Sequence, residues 1–114
     1  MPSLWSKNTG KTVVIKMKVS LNVIRRDGYV FVNICEPELI GKTFKEGEIR
    51  LTVDREFYEG QEVHIDYAFS LLDEANVVSM VGNKIVDEAI KRGLIKEEGV
   101  ISVQGVKFAQ IYNL

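Results

Sequence analysis

Residues 22–34, NVIRRDGYVFVNI, contain two apolar runs that are joined by Asp27-Gly28. Asp-Gly between two β-forming runs favours a type I′ turn, because both central residues of that turn need a positive φ. The stretch therefore predicts a β-hairpin. Upstream, apolar residues occupy the odd positions from 13 to 23, a period of two that indicates a strand with one buried face. Residues 29–34 are largely apolar on both faces, which predicts a strand that is covered on both sides.

Downstream of the hairpin, residues 36–47 show no clean period, and we interpret them as a loop with one helical turn at 37–40. Alternation of apolar and polar residues predicts a third strand over 49–53. Residues 55–62 connect this strand to a short extended stretch around Val63 and Ile65.

Two helices are predicted next. Ala68, Leu71, Leu72, Ala75 and Val78 fall at helical spacing and predict a helix that Asp66 caps and that runs to Ser79. A second helix is predicted over 83–92, with Gly93 at its C′ position. The tail predicts a second hairpin, 100–103 with 106–112, around Gln104-Gly105.

The strands and helices are segregated along the chain, which favours the α+β class. We expect an antiparallel sheet built from two hairpins plus a central strand, with two consecutive helices packed on one face. A chain of 114 residues with 46% hydrophobic residues has enough apolar surface for one core. We therefore expect a loose N-terminal arm at 1–12 and a single domain at 13–114.

The composition excludes several function classes. The net charge is −1, without the basic excess that is typical of a free-standing nucleic-acid binder. With one cysteine (Cys35) and one histidine (His64), the chain cannot build an intramolecular disulfide or a Cys/His zinc site with four ligands. The longest apolar run, residues 29–32, is too short for a membrane span, and the N-terminus lacks the apolar core of a signal peptide. We expect a cytoplasmic protein without metal, cofactor or membrane partner.

Two fragments match the end of a phosphate-binding P-loop, Gly10-Lys11-Thr12 and Gly41-Lys42-Thr43. The full motif needs a further glycine five residues before the glycine of the Gly-Lys pair. Trp5 and Glu36 occupy those two positions, and neither fragment leads into a convincing helix. The sequence therefore does not predict a P-loop.

Three other features suggest chemistry, each with a plainer interpretation. His64 and Asp66 can share a face and act as a general acid–base pair, although a lone surface histidine is the commoner case. Cys35 follows an apolar strand and is interpreted as a small buried hydrophobic residue. Arg25 and Arg26 beside the turn could bind RNA, but protection of an edge strand by basic residues is the favoured interpretation.

Four segments in this order resemble the domain of unknown function 424 family, a group of small archaeal proteins. They are NVIRRDGYVFVNICEPEL (22–39), IGKTFKEGEIRLTV with the following FYEG (40–60), EANVVSMVGNKIVDEAIKRGLI (74–95) and VQGVKFAQIY (103–112). The resemblance covers residues 17–114. It implies an archaeal cytosolic protein and a link to the translation apparatus, but no activity and no catalytic residues.

The resemblance also marks positions for inspection. Its recurring polar positions are Lys42, Glu46, Tyr58 and Asn76, which together with Arg25 and Arg26 are our candidate binding residues. Glycines at turns and helix ends serve backbone geometry. The candidate structural glycines are Gly28, Gly41, Gly47, Gly82 and Gly93.

The sequence therefore favours a non-catalytic interaction module that binds a protein or a ribonucleoprotein through residues 36–47 and 55–62. One alternative is a small-ligand binder or enzyme that uses His64, Asp66, Lys42 and Glu46 in a common cleft. A second alternative is RNA binding through the Arg25/Arg26 hairpin, which the net charge does not indicate. We also expect a homodimer, formed through an exposed sheet edge at the 106–112 strand.

Overall fold

The structure is a computed structural model that describes residues 17–113. The predicted arm at 1–12 and the predicted start of the domain at residue 13 lie outside these described residues. The strands are β1 (Lys18–Arg26), β2 (Tyr29–Cys35), β3 (Thr43–Glu46), β4 (Ile49–Thr52), β5 (Gln61–His64), β6 (Val77–Val81), β7 (Val100–Val103) and β8 (Val106–Tyr112). The helices are α1 (Arg55–Tyr58), α2 (Ile65–Ser70) and α3 (Asn83–Lys91), with 3₁₀ turns at Pro37–Leu39, Leu72–Glu74 and Glu97–Gly99.

Six strands form one mixed sheet in the order β5-β1-β2-β6-β8-β7. β2 and β6 run parallel, and the other neighbours are antiparallel. The α+β class is therefore correct, but the prediction of a wholly antiparallel sheet is wrong. β2 and β6 are far apart in sequence. The segment that connects them returns the chain to the end of the sheet where β2 begins, so β6 runs in the same direction as β2.

The two predicted hairpins are present. Asp27 and Gly28 have φ values of 53° and 82°, and Gln104 and Gly105 have values of 52° and 79°. Positive φ at both central residues is the requirement of the type I′ turn, whose twist matches that of the flanking strands. The β7–β8 hairpin places β8 inside the sheet, between β6 and β7. The prediction that the 106–112 strand forms an edge is therefore wrong, because β7 covers it.

The prediction of a helix from Asp66 to Ser79 is wrong beyond residue 70. α2 ends at Ser70, a 3₁₀ turn follows, and Val77–Val81 forms a strand in the middle of the sheet. The apolar run of β6 is buried between β2 and β8, so it shows no polar alternation. Such a run cannot be told from a buried helix by its period alone.

The third predicted strand is also placed differently. Ile49–Thr52 pairs with Thr43–Glu46 to form a separate two-stranded ribbon, which we call the β3–β4 ribbon. Thr43–Glu46 lies within the segment predicted to be a loop. Ile49–Thr52 is therefore not the central strand of the main sheet. The helical turn predicted at 37–40 is present as the 3₁₀ turn Pro37–Leu39.

The sheet has two differently covered faces. α2 and α3 pack on one face, although β6 separates them in the chain, so they are not consecutive elements. The opposite face, which we call the second face, carries a smaller apolar cluster around Cys35, Val53 and Val81. Part of the second face is covered by the β3–β4 ribbon and α1, and the other elements within residues 17–113 leave the remainder open.

Candidate binding site

The open part of the second face contains two adjoining cavities of about 380 and 300 Å³. Tyr58, Gln110 and Tyr112 line both cavities, and we call the two together the second-face cleft. None of the described residues in the lining carries a formal charge at neutral pH. The larger cavity also has Leu51, Thr52, Met80, Gly99, Ile101, Phe108 and Ala109; the smaller has Phe31, Asn33, Phe57, Val77 and Ser79.

A row of polar side chains crosses the sheet beneath this cleft. Asn22 pairs in register with Asn33, Asn33 with Ser79, and Ser79 with Gln110. Because side chains alternate between faces along each strand, directly paired residues point to the same face. The row therefore runs across four neighbouring strands, in a sheet whose other central positions are mainly apolar.

Hydrogen bonds fix one half of this row. Gln110 Nε2 donates to Ser79 Oγ at 3.2 Å, and the Tyr112 hydroxyl donates to Gln110 Oε1 at 2.5 Å. Burial raises the pKa of Tyr58, and the neighbouring Ser79 hydroxyl offsets part of that effect. Gln110 therefore holds Tyr112 at the rim of the cleft, with both polar groups of its side-chain amide engaged.

Asn33 is held much more weakly. Only 5% of its surface is exposed, and its Nδ2 donates to the Asn22 carbonyl at 3.4 Å, longer than the usual range of about 2.7–3.2 Å. Within residues 17–113, no group donates a hydrogen bond to its Oδ1. A buried polar group without a good partner costs about 1–3 kcal/mol. This amide faces the smaller cavity, so a ligand there could supply the missing partners.

Aromatic rings form the walls of the cleft. Phe31 and Tyr112 lie on the sheet, on either side of Val77. Phe57 faces the same cavity from α1 and is 51% exposed, and Tyr112 is 60% exposed. Exposed rings beside a polar floor are suited to stacking on a flat ligand.

Tyr58 alone among the predicted binding residues lies in the cleft. Asn76 instead joins strand ends: its Oδ1 accepts from Val30 N at 2.7 Å, and its backbone pairs with Val30 and Asn113. Arg25 and Arg26 lie at the exposed end of the β1–β2 hairpin. The backbone of Lys42 pairs with Leu39 and Val53 and so joins the loop to the ribbon.

The structure does not bring together His64, Asp66, Lys42 and Glu46. His64 Nδ1 caps α2 by accepting from Asp66 N at 3.1 Å, and Asp66 pairs with Arg92 at 2.7 Å. Glu46 binds the backbone of Gln104 in the turn after β7. β5 and β7 are opposite edges of the sheet, five strand spacings or about 24 Å apart. The predicted common cleft is therefore wrong.

Cys35 is fully buried, as its interpretation as a small hydrophobic residue predicts. Burial, together with the charges of Glu36 and Glu38, raises the pKa of the thiol to about 12. At neutral pH the thiol is protonated and buried in the smaller apolar cluster with Val53 and Val81, so Cys35 is a packing residue and not a nucleophile.

The N-terminus of α3 is also occupied by the protein itself. The Glu36 carboxylate accepts from Lys84 N at 2.7 Å and from Ile85 N at 3.4 Å. Gly82 precedes the helix with a φ of 122°, and a Cβ there would lie 2.3 Å from Glu36 Oε2. The glycine therefore makes room for a carboxylate that caps the helix.

Sequence reasoning missed Asn33, Ser79 and Gln110. Asn33 and Ser79 each interrupt an otherwise apolar strand, and this is the signal that could have marked them; Gln110 lies in β8, which also contains Lys107, and so gives no such signal. Which strands are neighbours could not be inferred locally, so the row across the sheet was not visible.

Residues 17–113 contain neither a metal-holding cluster of side chains nor a helix suited to span a membrane. No group of three or more His, Cys, Asp and Glu side chains in that range is arranged to hold a metal ion. Nor does any helix within it have the length and apolar character needed to cross a membrane.

Comparisons with known proteins give a family and a fold. The profile of the family described as "Protein of unknown function (DUF424)" matches residues 24–114. A crystal structure of an uncharacterized conserved protein from Methanopyrus kandleri is similar, with a TM-score of 0.68 and 21% sequence identity. The similarity covers 86% of this chain and 93% of the other. No curated protein matches the sequence.

Proposed function

Because the chain belongs to the DUF424 family, whose description names no activity, we propose a function from the structure: a non-catalytic interaction module that binds through the second-face cleft. The observation that carries the proposal is the nearly buried Asn33 amide, which has one weak partner within residues 17–113 and lines the same cavity as the exposed rings of Phe57 and Tyr112.

The chemistry of the lining supports binding. Aromatic rings and amides recognise a partner by stacking and hydrogen bonding. The residues that could have supplied acid–base or nucleophilic chemistry are engaged elsewhere, since His64 caps α2 and Cys35 is sealed in a core.

We further propose that the partner is a protein or ribonucleoprotein of the archaeal translation apparatus, in the cytosol. The motivation is the family resemblance described above. The predicted binding segments 36–47 and 55–62 include β3 and α1. α1 and β4, the partner strand of β3, contribute lining residues to the cleft. A partner seated in the cleft would therefore also contact these segments.

Affinity capture from an archaeal lysate tests this proposal. The bait proteins are wild type, Tyr112→Ala in the cleft, and Tyr67→Ala on α2 as a matched control. Both tyrosines are exposed, by 60% and 53%, but Tyr67 lies on the helix that covers the other face. We expect wild type and Tyr67→Ala to retain translation components and Tyr112→Ala to lose them. Equal retention by all three, or retention of no translation component, contradicts the proposal.

Homodimer formation is proposed at a different edge from the one predicted. β7 is the outer strand, and its Ile101 is 52% exposed. Size measurement by light scattering, with Ile101→Lys as the variant, tests whether this edge pairs. A wild-type mass that equals that of one chain contradicts it.

A further inference from the structure

We propose that the smaller cavity of the second-face cleft is a nucleobase site, in which Asn33 binds the edge of the base and Phe31, Phe57 and Tyr112 stack against its plane. This inference rests on the proposed function and names the ligand class for the same cleft.

The absence of charge among the described lining residues limits the chemical class of the ligand. The smaller cavity is lined by aromatic, aliphatic, amide and hydroxyl groups. A carboxylate or phosphate inside it would lose its hydration without meeting a cation among the described lining residues, which is unfavourable. The group that enters the cavity is therefore neutral.

The volume and the aromatic walls of the cavity limit the size and shape of the ligand. A volume of about 300 Å³ is at the lower end for ligand pockets, which suits one small ring system. Phe31 and Tyr112 present rings from the sheet, and Phe57 presents one from α1. Aromatic side chains that surround one cavity favour a flat ligand, because stacking uses its face.

Asn33 supplies the hydrogen-bonding requirement. A side-chain amide presents a donor and an acceptor side by side, which is the complement of the paired groups on a base edge. Asn33 is only 5% exposed, and its Oδ1 is unpartnered within the described residues. Nucleobases that are not in a duplex are recognised in this way, by stacking together with contacts to an exposed edge.

The hairpin places one cation, Arg26, near the same face. Arg26 pairs with Tyr29 in register, and alternation along β1 puts Arg26 on the same face as Asn22. Arg26 is four positions beyond Asn22, or about 13 Å along the strand. A base in the cavity could thus come from a free nucleoside, or from an unpaired RNA strand whose phosphates reach the hairpin.

Titration of the isotope-labelled protein with adenosine, guanosine, cytidine and uridine tests the site by NMR. We expect at least one nucleoside to shift the Asn33 side-chain amide and the backbone amides of Phe31 and Val77. Asn33→Leu should weaken binding at least about tenfold. Phe57→Ala, at an exposed position that does not endanger folding, should weaken it at least about fivefold. Gln61→Leu, an exposed amide on the far edge strand β5, is the matched control and should bind as wild type.

A short single-stranded oligoribonucleotide distinguishes the two sources. Tighter binding than the nucleoside, with a salt dependence that Arg26→Ala reduces, assigns the base to an RNA strand. Equal binding that Arg26→Ala does not change assigns it to a free nucleoside. Either result supports the base site.

The proposal is overturned if no nucleoside or oligonucleotide shifts these resonances, or if Asn33→Leu binds as well as wild type. Failure here together with Tyr112-dependent capture of a protein leaves the proposed interaction function intact. Nucleoside binding without any captured partner supports the base site and contradicts the proposed interaction function. The two proposals can therefore be distinguished.

Discussion

Glu46 and Gln104 bind each other's backbone segments across two different sheets. Glu46 Oε1 accepts from Gln104 N at 2.7 Å, and Gln104 Oε1 accepts from Lys45 N at 2.6 Å. The residues are 58 positions apart, one at the end of β3 and the other in the β7–β8 turn. Together with an edge-to-face contact between Phe44 and Phe108, this pair fixes the β3–β4 ribbon to the main sheet and so sets one wall of the cleft.

Replacing Glu46 with alanine should release the ribbon without unfolding the domain. The variant loses one charge-assisted hydrogen bond at an exposed position, which is worth about 1–2 kcal/mol. We expect faster hydrogen exchange in residues 43–52 and unchanged exchange in α3. Glu48→Ala, at the exposed tip of the same ribbon, is the matched control. Equal exchange in both variants would show that Glu46 does not hold the ribbon.

Gly82→Ala should destabilise the protein by about 2–4 kcal/mol in urea unfolding. The added Cβ would meet the Glu36 carboxylate at 2.3 Å, and the φ of 122° disfavours any L side chain. Gly99→Ala is the control, because a Cβ at that position would have nothing within 4 Å and the φ of Gly99 is not in the positive region.

The same substitution in a Glu36→Ala background separates the two causes. Removal of the carboxylate abolishes the close contact and leaves the backbone penalty, so Gly82→Ala should cost less there than in wild type. A cost of the same size in both backgrounds would mean that Glu36 does not crowd Gly82.

Cys35 should resist thiol reagents in the folded protein and make stability fall at high pH. Burial raises the pKa of the thiol from 9.0 to about 12, so the folded state retains the proton more strongly than the unfolded state does. The resulting stabilisation is complete below pH 9.0 and is lost between pH 9.0 and about 12. Over that window the free energy of unfolding should fall by at most about 1.4 kcal/mol per pH unit.

Comparison with Cys35→Ala isolates this contribution. The variant is expected to be less stable overall, but its free energy of unfolding should fall less steeply between pH 9.0 and about 12. An aromatic disulfide reagent at about pH 8, below the pKa of an ordinary thiol, should label wild type only after unfolding. Rapid labelling of the folded protein would contradict the burial of the thiol.

His64 should act as a helix cap, with a measurable effect on stability. His64→Ala removes the acceptor for Asp66 N and should cost about 1 kcal/mol. His64→Asn supplies another side-chain acceptor at the cap and should recover most of that loss. Equal loss of stability in both variants would show that the hydrogen bond from Asp66 N to the His64 side chain does not stabilise α2 as a cap.

Local chemistry explains the elements that sequence reasoning predicted correctly. The turn at Asp27-Gly28 follows from the φ values that it requires, and α3 follows from one apolar stripe with Gly93 after it. These rules act within a few residues, so they hold whatever the rest of the chain does. Tyr58 was identified through the family resemblance, and the structure then placed it in the cleft.

The errors have a different physical origin. Val77–Val81 is a strand because β2 and β8 supply its backbone partners on both sides, while its apolar side chains would suit a buried helix as well. Ile49–Thr52 does not belong to the main sheet, because it pairs with Thr43–Glu46, its neighbour in sequence across the turn at Gly47.

By itself the sequence determined the class of the domain, both hairpins, α3 and the burial of Cys35, because these depend on nearby residues or on hydrophobicity. The tertiary structure alone decided that β2 and β6 are parallel neighbours and that Asn33, Ser79 and Gln110 form one row. The reason is that pairing between distant strands is chosen by the free energy of the whole sheet. A polar residue within a strand has no particular role until its neighbours across that sheet are fixed.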